Sequence, residues 1–295
     1  MTVIGIFGPT ASGKSRVSAA IAERIPAELV SADAMQVYAG LPVLTNQSPA
    51  RLAAIWPLDH NASVGEYAPL AHAAIDEILA AGKTPVVVGG TGLYLRAALA
   101  ELALPPAADE GARARWETFY DAEGPEAAHG RLRSIDPSAA AAVHPNDRRR
   151  VVRALELAET GASLAPSQDT LWAEETRHPT VLVGLDVPPP VVEARIRERT
   201  LAMFTQGVEE EVERALAGPI SATARKTMGL DEISELPREE AIEALIVRTR
   251  RYAAYQRKWM RRIPGLVIVA ADRPEGEIAD DIVDLARTRE RLPRR

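Results

Sequence analysis

Residues 3–15, VIGIFGPTASGKS, decide the fold. An apolar run at 3–7 leads directly into GPTASGKS at 8–15, and this spacing matches the P-loop pattern G-x-x-x-x-G-K-[ST]. Two glycines let the backbone form a concave nest of N–H groups, the lysine adds a positive charge, and the serine hydroxyl can ligate Mg²⁺. A tight turn alone does not explain why Lys and Ser both follow. We therefore predict that the phosphate-binding residues are Gly8, Pro9, Thr10, Ala11, Ser12, Gly13, Lys14 and Ser15.

Strands and helices alternate on either side of this loop. Val17, Ile21 and Ile25 recur every fourth residue, which predicts a helix beginning at the lysine and serine. Further strands are predicted at 28–30 and 85–88, with a helix between them. The alternation predicts an α/β fold, a P-loop NTPase-like parallel sheet flanked by helices.

An all-helical segment interrupts this alternation. The pattern from LPPAAD at 104–109 to about residue 164 is purely helical. Asp136 and Asn146 are predicted as N-caps, and Gly161 as a stop after the last helix. We therefore predict a core domain of residues 1–108 and 165–295 with a helical insertion domain at 109–164. Strands resume at 180–187 and 265–270, with a long helix at about 238–262.

The amino-acid composition excludes several kinds of site and of protein. The 295 residues include no cysteine, which excludes disulfides and thiolate metal sites. The N-terminus has no basic region of a signal peptide, and no apolar stretch approaches the ~18 residues of a membrane span. We expect a cytoplasmic protein with no membrane partner. Because no coiled-coil seam is evident, we also expect a monomer.

Basic residues cluster although the net charge is −6. The stretches 147–153, DRRRVVR, and 248–262, RTRRYAAYQRKWMRR, could be solvated helix faces or a surface for a polyanion such as RNA, and two separate clusters favour the polyanion. Tyr252, Tyr255 and Trp259 lie within the second cluster. We expect these aromatic side chains in the core, since aromatic residues at helical spacing usually pack inside.

Three predicted strands are followed by candidate ligand-binding residues: the P-loop, Asp33 and GGTG at 89–92. Ligands of parallel sheets bind beyond the carboxyl ends of the strands, so one cleft should collect all three. Asp33 could be a turn aspartate, a magnesium-linked carboxylate or a general base. It is the only acid that we place in the cleft, which favours transfer to an acceptor over hydrolysis. Thr91 could donate a hydrogen bond to a phosphate or base, or the glycines could serve close packing alone.

Together these segments resemble a known family. GPTASGKS, SADAMQVYAGLPVLT, GGTGLYL, HPNDRRRVVRALE and TRRYAAYQRKWMRR occur in the order found in tRNA dimethylallyltransferases, and the resemblance includes RIRERTLAMFTQGVEEEV. It implies Mg²⁺-dependent transfer of a dimethylallyl group from dimethylallyl diphosphate to N6 of the adenosine 3′-adjacent to the anticodon, tRNA position 37. The P-loop would then hold a leaving group.

The resemblance also implies roles for individual residues. Thr10, Lys14 and Mg²⁺-bound Ser15 would stabilise the departing diphosphate, with Lys226 nearby, and Asp33 would be the general base. A flipped-out adenosine would meet the segment from Asp33 through Ala34 and Met35 to Gln36, close to Thr91. The residues expected to grip the anticodon stem-loop are Arg113, Arg149, Arg150, Arg153, Arg250 and Gln256.

The chain departs from the family in three places. VLTNQSP at 43–49 and WPLDH at 56–60 replace the usual IGTAKP-like and HHLID segments, and Ala254-Tyr255 replaces a common Lys-Arg pair. Three alternatives stay open at this point: an adenylate isopentenyltransferase acting on free AMP, a P-loop small-molecule kinase using ATP, and an inactive binding module. The helical insert and basic clusters argue against the first, since a mononucleotide needs neither.

Overall fold

A computed structural model describes residues 2–106, 110–165 and 170–291. The chain divides into two compact units, one of Met1–Glu101 with Trp172–Arg295 and the other of Leu102–Leu171. The sequence placed the domain boundaries at 108/109, which lies outside the described residues, and at 164/165.

The larger unit is built on a five-stranded parallel sheet in the order β2-β3-β1-β4-β5. Its strands are β1 (Val3–Phe7), β2 (Ala27–Ser31), β3 (Thr84–Gly89), β4 (Thr180–Asp186) and β5 (Val267–Ala270). The central strand β1 is buried along its whole length, as its apolar sequence predicts. The predicted P-loop NTPase-like α/β fold is confirmed.

Helices cover both faces of this sheet. The larger unit contains α1 (Lys14–Ala22), α2 (Val64–Ala80), α3 (Gly92–Leu99), α7 (Pro189–Thr205), α8 (Val208–Leu216), α9 (Leu230–Glu235), α10 (Arg238–Met260) and α11 (Glu275–Arg291). On one face Phe7 packs in a core with Tyr67 and Leu95. On the other, Ile4 packs with Ile21 of α1. The sheet is therefore covered on both sides. The P-loop, Asp33 and residues 89–92 lie at the carboxyl ends of its strands.

The smaller unit is helical, as predicted for the insert. It contains α4 (Glu110–Ile135), broken at Gly124, α5 (Pro137–Ala142) and α6 (Arg148–Glu159). The N-cap at Asp136 is confirmed, because its carboxylate accepts the N–H of Ala139. The prediction at Asn146 is wrong: the next residue, Asp147, caps α6 through its side chain. Gly161 follows α6 with a φ of 75°, as the predicted stop requires.

No helix within the three described ranges combines the length and apolarity that crossing a membrane requires.

Close approach of β2 and β3 requires a glycine at position 89. A Cβ there would lie 1.9 Å from the carbonyl oxygen of Ala32, a backbone atom that no rotamer change can move away. We predict that Gly89→Ala lowers the free energy of unfolding by about 2–3 kcal/mol, measured by urea denaturation. Gly218→Ala is the control, since its Cβ would meet nothing within 4 Å. Equal midpoints for Gly89→Ala and wild type would contradict the prediction.

Candidate active site

The P-loop connects β1 to α1 and is closed by its own lysine. Lys14 Nζ donates to the carbonyl oxygens of Gly8 at 2.9 Å and Pro9 at 2.8 Å. Gly13, at the N-cap of α1, adopts a φ of 91°, a conformation that favours glycine. The loop is thus shaped as a nest at a helix N-terminus, which is a ready site for an anion.

The positive charge of Lys14 is buried, which costs desolvation free energy. Burial lowers the pKa of Lys14 to about 8, although the nearby carboxylate of Asp33 opposes this shift. Arg199 also lies in a desolvated position, and burial likewise lowers its pKa while Asp33 raises it. Two cations therefore face one carboxylate with little water to screen them, an arrangement that a bound anion would relieve.

Helix α7 supplies this second cation. Arg199 Nη1 donates to Thr10 Oγ1 at 3.0 Å, and Arg195 Nη1 lies 3.5 Å from the carbonyl oxygen of Ala11. Arg199 Nε is buried without a hydrogen-bond partner among the described residues. Sequence reasoning assigned no role to either arginine, although their i,i+4 spacing in RIRERT puts both on one face of a helix.

Gln256 of α10 joins the P-loop to the loop after β3. Its Oε1 accepts the N–H of Thr10 at 2.7 Å, and its Nε2 donates to the carbonyl oxygen of Gly90 at 2.8 Å. Only 2% of Gln256 is exposed. Both ends of the amide are thus used to hold the two loops together.

Asp33 lies at the carboxyl end of β2, where the predicted cleft should be. Its Oδ1 accepts the N–H of Met35 at 3.0 Å, so one carboxylate oxygen holds a turn. Thr91 Oγ1 accepts the N–H of Ala34 at 3.2 Å and ties the loop after β3 to this turn. The glycine at 92 serves packing, because a Cβ there would lie 2.1 Å from the Trp259 ring. The packing role expected for the glycines is thus confirmed at Gly92, whereas donation by Thr91 to a phosphate or base stays a prediction.

One cavity of about 420 Å³ collects these groups. Thr10, Lys14, Ser15, Asp33 and Arg199 line one part of it, while its apolar lining includes Leu44, Met203, Met228 and Leu245. The P-loop and Asp33 share the cleft as expected, but the third expected segment, GGTG at 89–92, does not line it. The expectation that Asp33 is its only acid is wrong, since Glu198 of α7 also lines the cavity. The cleft is thus cationic at the P-loop and also contains an apolar patch of Leu44, Met203, Met228 and Leu245.

The comparisons with known proteins identify the family. The sequence profile described as IPP transferase matches residues 36–263, and one described as isopentenyl transferase matches residues 1–50. A tRNA dimethylallyltransferase of Thermobifida fusca is 41% identical over 97% of this chain and 93% of its own length. The chain belongs to the tRNA dimethylallyltransferase family. A relative of the same name from Salinispora tropica is also 41% identical, over 89% of this chain and 86% of its own.

Solved structures agree with this family assignment. The tRNA isopentenylpyrophosphate transferase of Bacillus halodurans superposes with a TM-score of 0.70 at 31% identity, covering 99% of this chain and 98% of its own. A eukaryotic dimethylallyltransferase solved acting on tRNA superposes with a TM-score of 0.76 at 26% identity, covering 92% of this chain and 74% of its own. The resemblance seen in the sequence motifs is confirmed, and the chain is a transferase.

Two residues predicted for this transferase's site, Lys226 and Arg250, are not in the lining of the cavity. Lys226 is exposed on a short 3-10 turn, and its neighbours Thr227 and Met228 line the cleft instead. Arg250, on the outer side of α10, pairs with Glu193 at 2.8 Å. The diphosphate role of Lys226 and the RNA roles of Arg250 and of the buried Gln256 stay predictions.

The predicted RNA-binding arginines of the helical unit fall into two groups. Arg113 and Arg153 both pair with Glu156, a carboxylate that is almost fully buried, and Arg153 also donates to the carbonyl oxygen of Pro106. Arg149 and Arg150, in the first turn of α6, are exposed. The first pair serves the fold of this unit, whereas the second is accessible to a polyanion.

The three aromatic residues of α10 differ in their surroundings. Tyr252 lines the cavity, and burial raises the pKa of its hydroxyl, with Thr91 and Gln256 as close neighbours. Trp259 packs against the core and against Trp172, 5.0 Å between ring centroids. The expectation that all three lie in the core is wrong for Tyr255, which is 54% exposed.

The pKa of Lys14 predicts how anion binding depends on pH. Because this pKa is lowered to about 8, Lys14 of the free enzyme loses its charge above pH 8. The factor by which Lys14 increases the affinity for pyrophosphate should therefore fall with rising pH, by up to about tenfold per pH unit. The measurement is the ratio of pyrophosphate affinities of wild type and Lys14→Met from pH 7 to pH 9.5, by calorimetry. The ratio cancels the ionisation of pyrophosphate itself. A ratio that stays constant across this range would refute the prediction.

Proposed function

We propose that this enzyme transfers a dimethylallyl group from dimethylallyl diphosphate to N6 of the adenosine 3′-adjacent to the anticodon, tRNA position 37, giving N6-isopentenyladenosine. The observation that carries this proposal is the composition of one cleft. A cationic P-loop cradle, the carboxylate of Asp33 and an apolar patch line one cavity, in a chain of the tRNA dimethylallyltransferase family.

The P-loop end suits a diphosphate that leaves. Charge builds on the bridging oxygen as the allylic C–O bond breaks, and preorganised donors stabilise it without reorganisation. Lys14, Arg199 and the backbone amides of the loop are such donors. Thr10 is held in place from two sides, by Arg199 and by Gln256, so its hydroxyl is also available at a defined position.

Asp33 suits the role of general base. As the exocyclic amine of adenine attacks the allylic carbon, a C–N bond forms, the C–O bond breaks with its electron pair leaving on the diphosphate, and the amine must lose a proton. The Asp33 carboxylate accepts that proton. Its turn, held by Met35 N–H and tied to Thr91, keeps the carboxylate beside the cavity where a flipped-out base would enter.

The apolar lining suits the five-carbon group of the donor. Leu44, Met203, Met228 and Leu245 come from four different segments and offer only hydrocarbon or thioether surface to the cavity. Such surface excludes water from an allylic centre that would otherwise be hydrolysed.

The residues of the cleft fit a magnesium ion that arrives with the substrate. No group of three or more His, Cys, Asp or Glu side chains able to hold a metal occurs among residues 2–106, 110–165 and 170–291. Mg²⁺ commonly takes one or two protein oxygens together with substrate phosphates and water, and the Ser15 hydroxyl lines the cavity next to the phosphate cradle. When bound, the ion would neutralise charge on the diphosphate. Ser15 would hold it.

Two alternatives are less well supported. A free-AMP transferase does not need the separate helical unit with its exposed Arg149 and Arg150. A small-molecule kinase does not need an apolar lining beside the phosphate cradle.

The test is mass spectrometry of the reaction products. An unmodified anticodon stem-loop RNA is incubated with enzyme, Mg²⁺ and dimethylallyl diphosphate, with AMP in a parallel tube. We expect a gain of one dimethylallyl group on the RNA adenosine and none on AMP. Gain on AMP alone would support the free-nucleotide enzyme, and gain on neither would overturn the proposal and call for the same assay with ATP.

The two carboxylates of the cleft make a matched pair for testing the base. We predict that Asp33→Asn lowers kcat by about 10²–10⁴-fold, the contribution typical of a general base. Pyrophosphate binding should be kept or tightened, because the variant removes a negative charge near Lys14 and Arg199. Glu198→Gln, an exposed carboxylate in the same lining, should keep kcat within about threefold. Similar losses in both variants would argue against Asp33 as the base.

A further inference from the structure

Tyr255 carries a large exposed ring immediately beside the cavity. Its ring centroid is 6.5 Å from that of Tyr252, with the two planes 24° apart, and Tyr252 lines the cavity. Tyr252 is largely buried beside Thr91 and Gln256, and Gln256 is itself fixed by its bonds to Thr10 and Gly90. The Tyr255 ring therefore extends the aromatic surface of Tyr252 from the cavity wall toward solvent.

Exposed cations lie next to Tyr255 in sequence, on α10 and in the turn that follows it. Arg251 and Lys258 lie four residues before and three after Tyr255, which places them beside it along the helix, and Arg262 follows in the turn after α10; all three are exposed. The Arg262 guanidinium lies 4.0 Å from the centroid of the Trp172 ring, which orients it. An aromatic ring among cations, with no acid between Arg251 and Arg262, has the chemistry of a platform for an unpaired nucleotide.

We propose that Tyr255 stacks on the base adjacent to the target adenosine and so sets how the RNA enters the cleft. This inference rests on the proposed function. Extruding one base leaves a neighbour without its stacking partner. Tyr255 replaces that lost stacking at the cavity edge, while Arg251 and Lys258 neutralise the flanking phosphates. Tyr255 is a positioning residue for RNA and takes no part in the chemistry of the diphosphate.

Steady-state kinetics on the anticodon stem-loop test this role. Base–aromatic stacking is strong enough that Tyr255→Ala should raise KM for the RNA by roughly 5- to 100-fold. The KM for dimethylallyl diphosphate should stay within about twofold. Tyr255→Phe, which keeps the ring, should behave as wild type. A loss in Tyr255→Phe equal to that in Tyr255→Ala would overturn the proposal, because the hydroxyl and not the ring would then matter.

Ile268→Ala is the matched control. Ile268 is 55% exposed, as Tyr255 is 54% exposed, but it lies on β5 outside the cavity lining. It should leave KM for the RNA unchanged. An equal rise in both variants would count against a specific contact at Tyr255.

A spectroscopic readout separates stacking from a general loss of structure. Stem-loops with 2-aminopurine 5′ or 3′ of the target adenosine report on the stacking of that base through their fluorescence. Wild type and Tyr255→Phe should change the signal at one of these positions, at RNA concentrations that saturate each protein, and Tyr255→Ala should not. Identical signals with all three proteins would overturn the inference, whereas a wild-type enzyme that fails to prenylate RNA would overturn the proposed function itself.

Discussion

The geometry of the cleft depends on one buried amide. Gln256 accepts a hydrogen bond from the P-loop at Thr10 and donates one to the loop after β3 at Gly90. A buried amide that lost either bond would leave polar groups unpaired, which costs about 1–3 kcal/mol each. The amide therefore holds α10 against both loops, and α10 in turn carries Tyr252 to the cavity wall and Tyr255 to its rim.

The charged groups of the site are already in place without a bound ligand. Lys14 and Arg199 keep their positive charges in a desolvated position, at a cost visible in their lowered pKa values, and Asp33 compensates only in part. The attraction between these cations and a bound diphosphate would offset their desolvation cost. The same field explains how one cleft can hold a leaving anion and a base: the cations lie along the P-loop and α7, while Asp33 lies at the end of β2.

The helical unit shows that a basic sequence cluster is not one functional surface. In HPNDRRRVVRALE, Arg153 is drawn inward by the buried Glu156, which also pairs with Arg113 of α4, because a buried carboxylate must be paired. Arg149 and Arg150 point outward from the first turn of α6 and stay accessible. The helical period sorts the cluster into a structural part and an exposed part.

The sequence by itself determined the P-loop, the parallel strands and the place of Asp33, since these follow from local patterns: glycine spacing, apolar runs and the rule that parallel strands end at one edge. Only the tertiary structure decided that Arg199 and Glu198 enter the cleft, that Lys226 lies outside it and that Tyr255 is exposed. Whether a helical side chain faces the site depends on how its helix packs against distant segments, and on buried bonds such as that of Gln256 to Thr10, 246 residues away. No local pattern carries that information.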